Sequence, residues 1–585
     1  MMNHNHVTSK TAARSPLSMP GCAVPPGSHF HYCVFILAFL LTACGPKLPT
    51  DYVEKDEWPS IYPDYINVTI PVNIAPLTFE LDEETDEMVA RYQAGDVEII
   101  CAGKMQPGLS DWRKLIAAAL NPQPSTLNPQ PSAPHPQPIQ VDVFARHDDR
   151  WTHYRPFTIA VSPDSIDPWM SYRLIPPSYI SYEALTINQR CLENYDERVI
   201  YDNILCGLEV DGQCINCHNY QQYNPQRMQF HARQNCGGTV IAYDGQLKKV
   251  NMKNDSILSA GVYPAWHPWL KLIVYSTNLT NQNFFTISHD KIEVYDSQSD
   301  LIAYDIDSDE VTNIENRTDE LEVFPAWAPD GRTLYYSSAH FVRNNAIKDP
   351  TTDVIMRYDS LHYNIYRKSF DPETKQFGPR ELVFRAEKTI AQDTTLTSHP
   401  SSLNSHPSSL NSHPSSLTSH PSSLNSHPSS LNSKPASALL PRISPDGRFL
   451  LFSMADHGVF HIWHHDADLW MMDLQTGAAR PLDEVNSPDT ESYHTWSSNG
   501  RWIVFSSRRD DGAFTRPFFA HIDEDGRFSK PFELPCADPD YHRQFMRSYN
   551  IPELMRGPVT FGPHDFGRVL KGEGVTVKYV RQLSR

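Results

Sequence analysis

Four stretches of the chain repeat one pattern: YPAWHPWLKLIVYSTN (Tyr263 to Asn278), FPAWAPDGRTLYYSSA (Phe324 to Ala339), LPRISPDGRFLLFSMA (Leu440 to Ala455) and YHTWSSNGRWIVFSSR (Tyr493 to Arg508). Each opens on an aromatic or apolar residue, usually followed by proline, and places tryptophan or isoleucine three positions on. Each then turns at a sequence such as Pro-Asp-Gly and leaves in an alternating strand that ends in serine. Glycine at the turn supplies a positive φ, and the β-branched or aromatic residues on alternate positions after it are strand formers. A strand-turn-strand unit cannot bury its own apolar face, so copies of it must stack on one another.

The spacing fits blades with long loops: 61 residues separate Trp266 from Trp327, 53 separate Ile443 from Trp496, and 116 separate Trp327 from Ile443. Leu301 to Asp305 (LIAYD) and Leu469 to Leu474 (LWMMDL) supply the outer strands. The repeats resemble those of the TolB-like, WD40-like and tricorn-like β-propeller families over residues 237–540. That resemblance implies an all-β chain with a five- or six-bladed propeller in its C-terminal half. The tryptophans are then core anchors that specify the fold and say nothing about a ligand.

The longest gap is inflated by residues 397–434, where SHPSSLN recurs and puts His399, His406, His413, His420 and His427 seven apart, with a parallel series of leucines. A leucine heptad suggests a coiled coil, but every unit carries a proline that removes a helical hydrogen bond and costs about 3 kcal/mol. A disordered insertion of duplicated sequence is the expectation, with weak metal binding by its histidines as the alternative.

Ahead of the repeats, residues 62–202 hold short runs of period two, namely YINVTIP (Tyr65 to Pro71), VEIIC (Val97 to Cys101), IQVDVFA (Ile139 to Ala145) and FTIAV (Phe157 to Val161). They predict a small antiparallel, sandwich-like β-domain interrupted by a proline-rich excursion at 121–138. Residues 203–236 form a short linking segment, and 541–585 a closing segment that ends in a strand-like Val575 to Val580. The 585 residues carry 50 basic and 69 acidic side chains, for a net charge of -19 and no basic stripe, which argues against nucleic acid as a partner.

Val34 to Leu41 (VFILAFLL) is too short to span a bilayer but has the size of a signal-peptide core. The following Leu41-Thr42-Ala43-Cys44-Gly45 resembles a bacterial lipobox, which implies cleavage before Cys44 and lipidation of its sulfur. Residues 1–44 are thus the signal peptide and 45–61 a tether. The expectation is export, membrane attachment through the anchor, most naturally at an outer membrane, and a protein partner in the cell envelope.

Cys214-Ile215-Asn216-Cys217-His218 matches the C-x-x-C-H attachment motif of c-type haem. Two thiols so spaced on one turn reach the two vinyl groups of a haem edge, and the histidine that follows ligates the iron. The sixth ligand is expected from Met228 or His231. A redox dithiol, a disulfide, or a zinc site drawn from Cys206, Cys214, Cys217, Cys236 and His218 are the competing readings. Electron transfer or redox-linked partner binding follows from the haem reading, and a haem-free scaffold from the others. A hydrolase or lyase, as in tricorn-like and prolyl-oligopeptidase-like chains that join a propeller to a catalytic domain, is a third reading, disfavoured because no G-x-S-x-G nucleophile elbow occurs. His340, His461 and His464 are candidates for a propeller mouth, with ordinary packing as the simpler account.

Overall fold

The computed structural model describes residues 45–121, 136–177, 184–207, 212–389 and 433–581. The leader with Cys44, most of the proline-rich excursion and nearly all of the SHPSSLN tract lie outside the described residues. Ser433 and Lys434, counted above with that tract, belong to a short strand, Ser433–Pro435, paired antiparallel with Glu387–Thr389.

The fold is nearly all β, and its body is a six-bladed propeller. Blades 3 to 6 are hairpin-connected sheets that start at Gly261–Trp266, Glu320–Trp327, Ser437–Ile443 and Glu491–Trp496, the four repeats read from the sequence. Blade 2 starts at Gln213–Tyr220 and continues through Arg227–Gln234, Gly238–Tyr243 and Gln246–Asn251. Blade 1 takes Trp169–Ile175, Thr186–Cys191 and Glu197–Asp202 from the N-terminal side, while its innermost strand, Ser548–Met555, comes from near the other end of the chain. Hydrogen bonds between segments almost four hundred residues apart thereby close the ring.

Two expected boundaries move. Residues 169–202 belong to blade 1 and not to the preceding β-domain, and the segment 203–236 supplies half of blade 2. Neither blade was visible as a repeat because neither carries the Pro-Asp-Gly turn or the anchoring tryptophan. The final Val575 to Val580 also divides. Val575–Thr576 pairs parallel with the outer edge of blade 2, and Lys578–Tyr579 does the same on blade 3, so one tail covers two exposed edges.

Serine and tryptophan of the repeat join successive blades. The Ser337 hydroxyl donates to the carbonyl of Ala438 at 3.0 Å, and Trp327 and Trp496 donate their indole N–H to the carbonyls of Ala265 (3.2 Å) and Arg442 (3.1 Å) in the preceding blade. A buried indole needs such a partner, which fixes its ring while its apolar bulk fills the gap between sheets.

The N-terminal region is a seven-stranded sheet of mixed direction, in which Val53–Lys55 and Thr69–Pro71 pair parallel with their neighbours. A helix, Leu109–Leu120, packs on it through Trp112, Leu115, Ile116 and Ala119, spaced to fall on one helical face. Its core is continuous with Trp502, Phe519 and Phe532 of blade 6, and Trp502 donates to the carbonyl of Asp164 at 3.0 Å. The sheet is therefore fastened to the outer side of the ring.

Candidate functional site

The innermost strand of every blade carries the same irregularity. Its ladder register slips past two residues: Cys217 and His218, Tyr263 and Pro264, Phe324 and Pro325, Leu440 and Pro441, Tyr493 and His494, Ile551 and Pro552. The first residue of each pair has a positive φ, between 43° and 60°. For a non-glycine residue that conformation costs about 1–2 kcal/mol, and it persists where the surrounding packing leaves no alternative. The second residue is outside the ladder, so proline, which lacks an N–H, fits there without loss.

The six first residues converge on the ring axis. With Arg442 and Glu553 they leave a cavity of about 40 Å³, so the axis is plugged by side chains. Cys217-His218-Asn219-Tyr220 is thus the blade-2 counterpart of Tyr263-Pro264-Ala265-Trp266, and Ile551-Pro552-Glu553-Leu554 is the blade-1 counterpart.

This placement bears directly on haem. Cys217 is buried and faces the axis, whereas Cys214 packs against the apolar cluster between blades 1 and 2 with Tyr201 and Phe230. The motif lies on an extended strand, where three residues advance up to about 10 Å, and not on one turn. His218 is sealed, and burial, followed by the nearby Arg173 charge, holds its imidazole down at about 3. Met228 is a core residue of the cluster between blades 1 and 2. His231, on the opposite face of the same strand, bonds through Nδ1 to the Thr239 hydroxyl at 3.0 Å, and burial lowers it to about 3. Ligand pockets run to about 300–1,000 Å³, and a cavity of about 40 Å³ beside His218 has no room for a tetrapyrrole. Cys214, Cys217, His218, Met228 and His231 do not fit a haem as they are folded. The zinc alternative fares no better, since no cluster of three metal-ligating side chains among the described residues includes a cysteine.

Open space lies on both faces of the ring. Where the inner strands end, a hollow of about 150 Å³ is bordered by Trp266, Trp327 and Trp496. At its floor Arg442 meets Glu553 at 2.7 Å, and the Asn219 amide donates to the same carboxylate at 2.9 Å. Where the inner strands begin, a cleft of about 780 Å³ separates blade 2 from a long hairpin of blade 3, Leu272–Phe284 with Ile292–Asp305. Its lining includes the hydrogen-bonding side chains of His231, Arg233, Asn251, Lys253, Asn278 and Asn281. Of this set only His231 stands out in the sequence, and for another reason, because isolated Asn and Lys carry no local signal.

A further buried network also lacks a local signal. His542 bridges Glu533, through Nδ1 at 2.5 Å, and Cys536, 3.5 Å from Nε2, with Tyr549 hydroxyl at 3.1 Å. Burial drives the Cys536 thiol up, but His542 and Arg190 outweigh it and hold the thiol below its ordinary range. All four residues are buried. Of the three histidines considered for a mouth, His461 and His464 are buried in the blade-5 loop on the cleft side, and His340 is exposed beside Asp319 and Glu320.

No family model matches the chain, and no curated protein matches it. Among solved structures it is similar to a variant of prolyl oligopeptidase B from Galerina marginata bound to a 35mer hydrolysis and macrocyclization substrate, at 10% identity and a TM-score of 0.29. That match covers 78% of this chain and spans 61% of the other's length. It is also similar to a DUF4784 family protein from Bacteroides caccae, at 6% identity and a TM-score of 0.22, covering 85% of this chain and 100% of that one. An ancestral GH74 enzyme follows at 8% and 0.20, covering 82% and 77%.

Proposed function

We propose that the chain is a haem-free propeller that binds a protein partner in the cell envelope, held to a membrane through lipid on Cys44. The observation that carries this reading is the contrast between a plugged axis and an open cleft of about 780 Å³ whose largely apolar lining also carries asparagine amides and two cations. Asparagine amides both donate and accept, which suits the unpaired backbone of an extended polypeptide segment. Arg233 and Lys253 place positive charge there in a chain of net charge -19, so a carboxylate-bearing segment is the favoured guest. The LTACG sequence at 41–45 supports the anchor.

The test places a photo-crosslinking amino acid at Asn281 in the full chain, expressed with its leader. A discrete adduct with one envelope protein is expected, weakened by Lys253→Glu and absent when the probe sits at Glu373 on blade 4. Equal labelling from both positions, or none from Asn281, overturns the binding reading. Incorporation of labelled fatty acid that disappears in Cys44→Ala checks the anchor separately.

A further inference from the structure

The blade-3 hairpin reaches across the cleft face to the loop that joins Phe449–Ala455 to Asp468–Asp473 in blade 5. That loop carries His457-Gly458-Val459-Phe460-His461-Ile462-Trp463-His464-His465. Where they meet, Glu293 of the hairpin faces His464 Nε2 at 3.2 Å and His457 Nε2 at 3.8 Å. The three ligand atoms lie within 4.8 Å of one another. We propose that Glu293, His457 and His464 form a binding site for a divalent transition-metal ion of the zinc class.

The distances are those a metal needs. Ligand atoms each about 2.1 Å from a tetrahedral zinc ion stand about 3.4 Å apart. Two imidazoles and one carboxylate suit zinc and its neighbours, while calcium and magnesium take oxygen ligands. Independent of the spacing, the site contains buried polar atoms with nothing to bond. Glu293 is 2% exposed and His464 1%, yet Glu293 Oε1 and His464 Nε2 make no hydrogen bond. A buried carboxylate oxygen left so is costly, and a cation beside it removes the cost. Gly458 lets the loop close over the pair: a Cβ there would stand 2.8 Å from His464 Cε1 and 3.0 Å from Glu293 Oε1. His457 is the most accessible of the three and leaves a path for the ion. The ion would tie blade 3 to blade 5 and fix the hairpin that forms one wall of the cleft.

Titration of the full chain with Zn²⁺, and with Co²⁺ to read the visible absorption of a four-coordinate nitrogen and oxygen site, tests the proposal. One tight equivalent is expected, with a rise in melting temperature on binding. His457→Ala, at a partly exposed position that leaves the core intact, should weaken that equivalent roughly 100-fold and abolish the melting shift, and Glu293→Gln should do the same. His289→Ala, in the neighbouring exposed group of His289, Asp290 and His465, should leave it unchanged. Only weak binding of several equivalents, of the kind the SHPSSLN histidines would give, or a tight site that survives His457→Ala, overturns the assignment. The crosslink from Asn281 does not depend on this result, so the two readings fail separately.

Discussion

Blades 2 and 3 build the same inner strand from different chemistry. In blade 3 the bulge is Tyr263-Pro264 with Trp266 as the anchor, and in blade 2 it is Cys217-His218 with Tyr220 in the anchor position. Their backbones agree, down to φ values of 60° at Cys217 and 49° at Tyr263. The lesson is that a spacing which on one turn would grip a haem is, on a strand, the bend that aims a side chain at a propeller axis. The places held by Cys217 and His218 are filled in the other blades by Tyr, Phe, Leu or Ile and by Pro or His.

Substitutions separate the strand from its chemistry. The largest effect is expected from Trp496→Ala, which empties a fully packed anchor and loses the bond to the Arg442 carbonyl. A loss of about 3–5 kcal/mol in denaturant unfolding is expected, and a loss below 1 would contradict the anchoring role. Next is Ile215→Pro, which removes a fully buried aliphatic side chain from the cluster between blades 1 and 2 and should cost about 2 kcal/mol or more. Arg442→Met, at the floor of the hollow, strips the Glu553 carboxylate of its cation and leaves it with the Asn219 amide and the Thr495 hydroxyl. About 2 kcal/mol should be lost, measured the same way.

The paired bulge histidines make a pH prediction. Burial, and secondarily Arg173 at His218 and Arg442 at His494, holds both rings at about 3, against 6.5 when unfolded. A depressed histidine favours the folded state fully above 6.5, and that contribution is lost as pH falls from 6.5 toward 3. Each ring then costs about 1.4 kcal/mol per pH unit within that window. Replacing both with proline should flatten the acid limb of a stability-versus-pH curve, and an unchanged slope would show that the rings do not titrate this way. At neutral pH the smallest effect is expected: His218→Pro brings blade 2 into line with blades 1, 3, 4 and 5 and should shift stability by less than about 1 kcal/mol. If His218→Pro were as damaging as Ile215→Pro, the equivalence of the two blades would fail.

Blades 3 to 6 were legible because alternating apolar residues follow a tight turn in each and an anchor, tryptophan in three and isoleucine in blade 5, precedes it, with a positive-φ glycine in the turns of blades 4 to 6. Blades 1 and 2 lack the turn signal, and blade 1 draws its inner strand from Ser548–Met555, a pairing no local window contains. The helix Leu109–Leu120 was likewise passed over between strands, although its buried Trp112, Leu115, Ile116 and Ala119 follow helical spacing. For the cleft the position is harder, since Asn251, Lys253, Asn278 and Asn281 come from two blades and share no motif.

By itself the amino-acid order determined the repeating unit and therefore the propeller, because a strand-turn-strand with one apolar face has no stable solution except stacking. It also supplied every residue of the C-x-x-C-H match. Only the tertiary structure decided what that match is, since whether two cysteines three apart share a turn or straddle a bulge depends on backbone conformation, which stacking against five other blades imposes. The same holds for Glu293, His457 and His464, which meet because a long hairpin crosses the face of the ring.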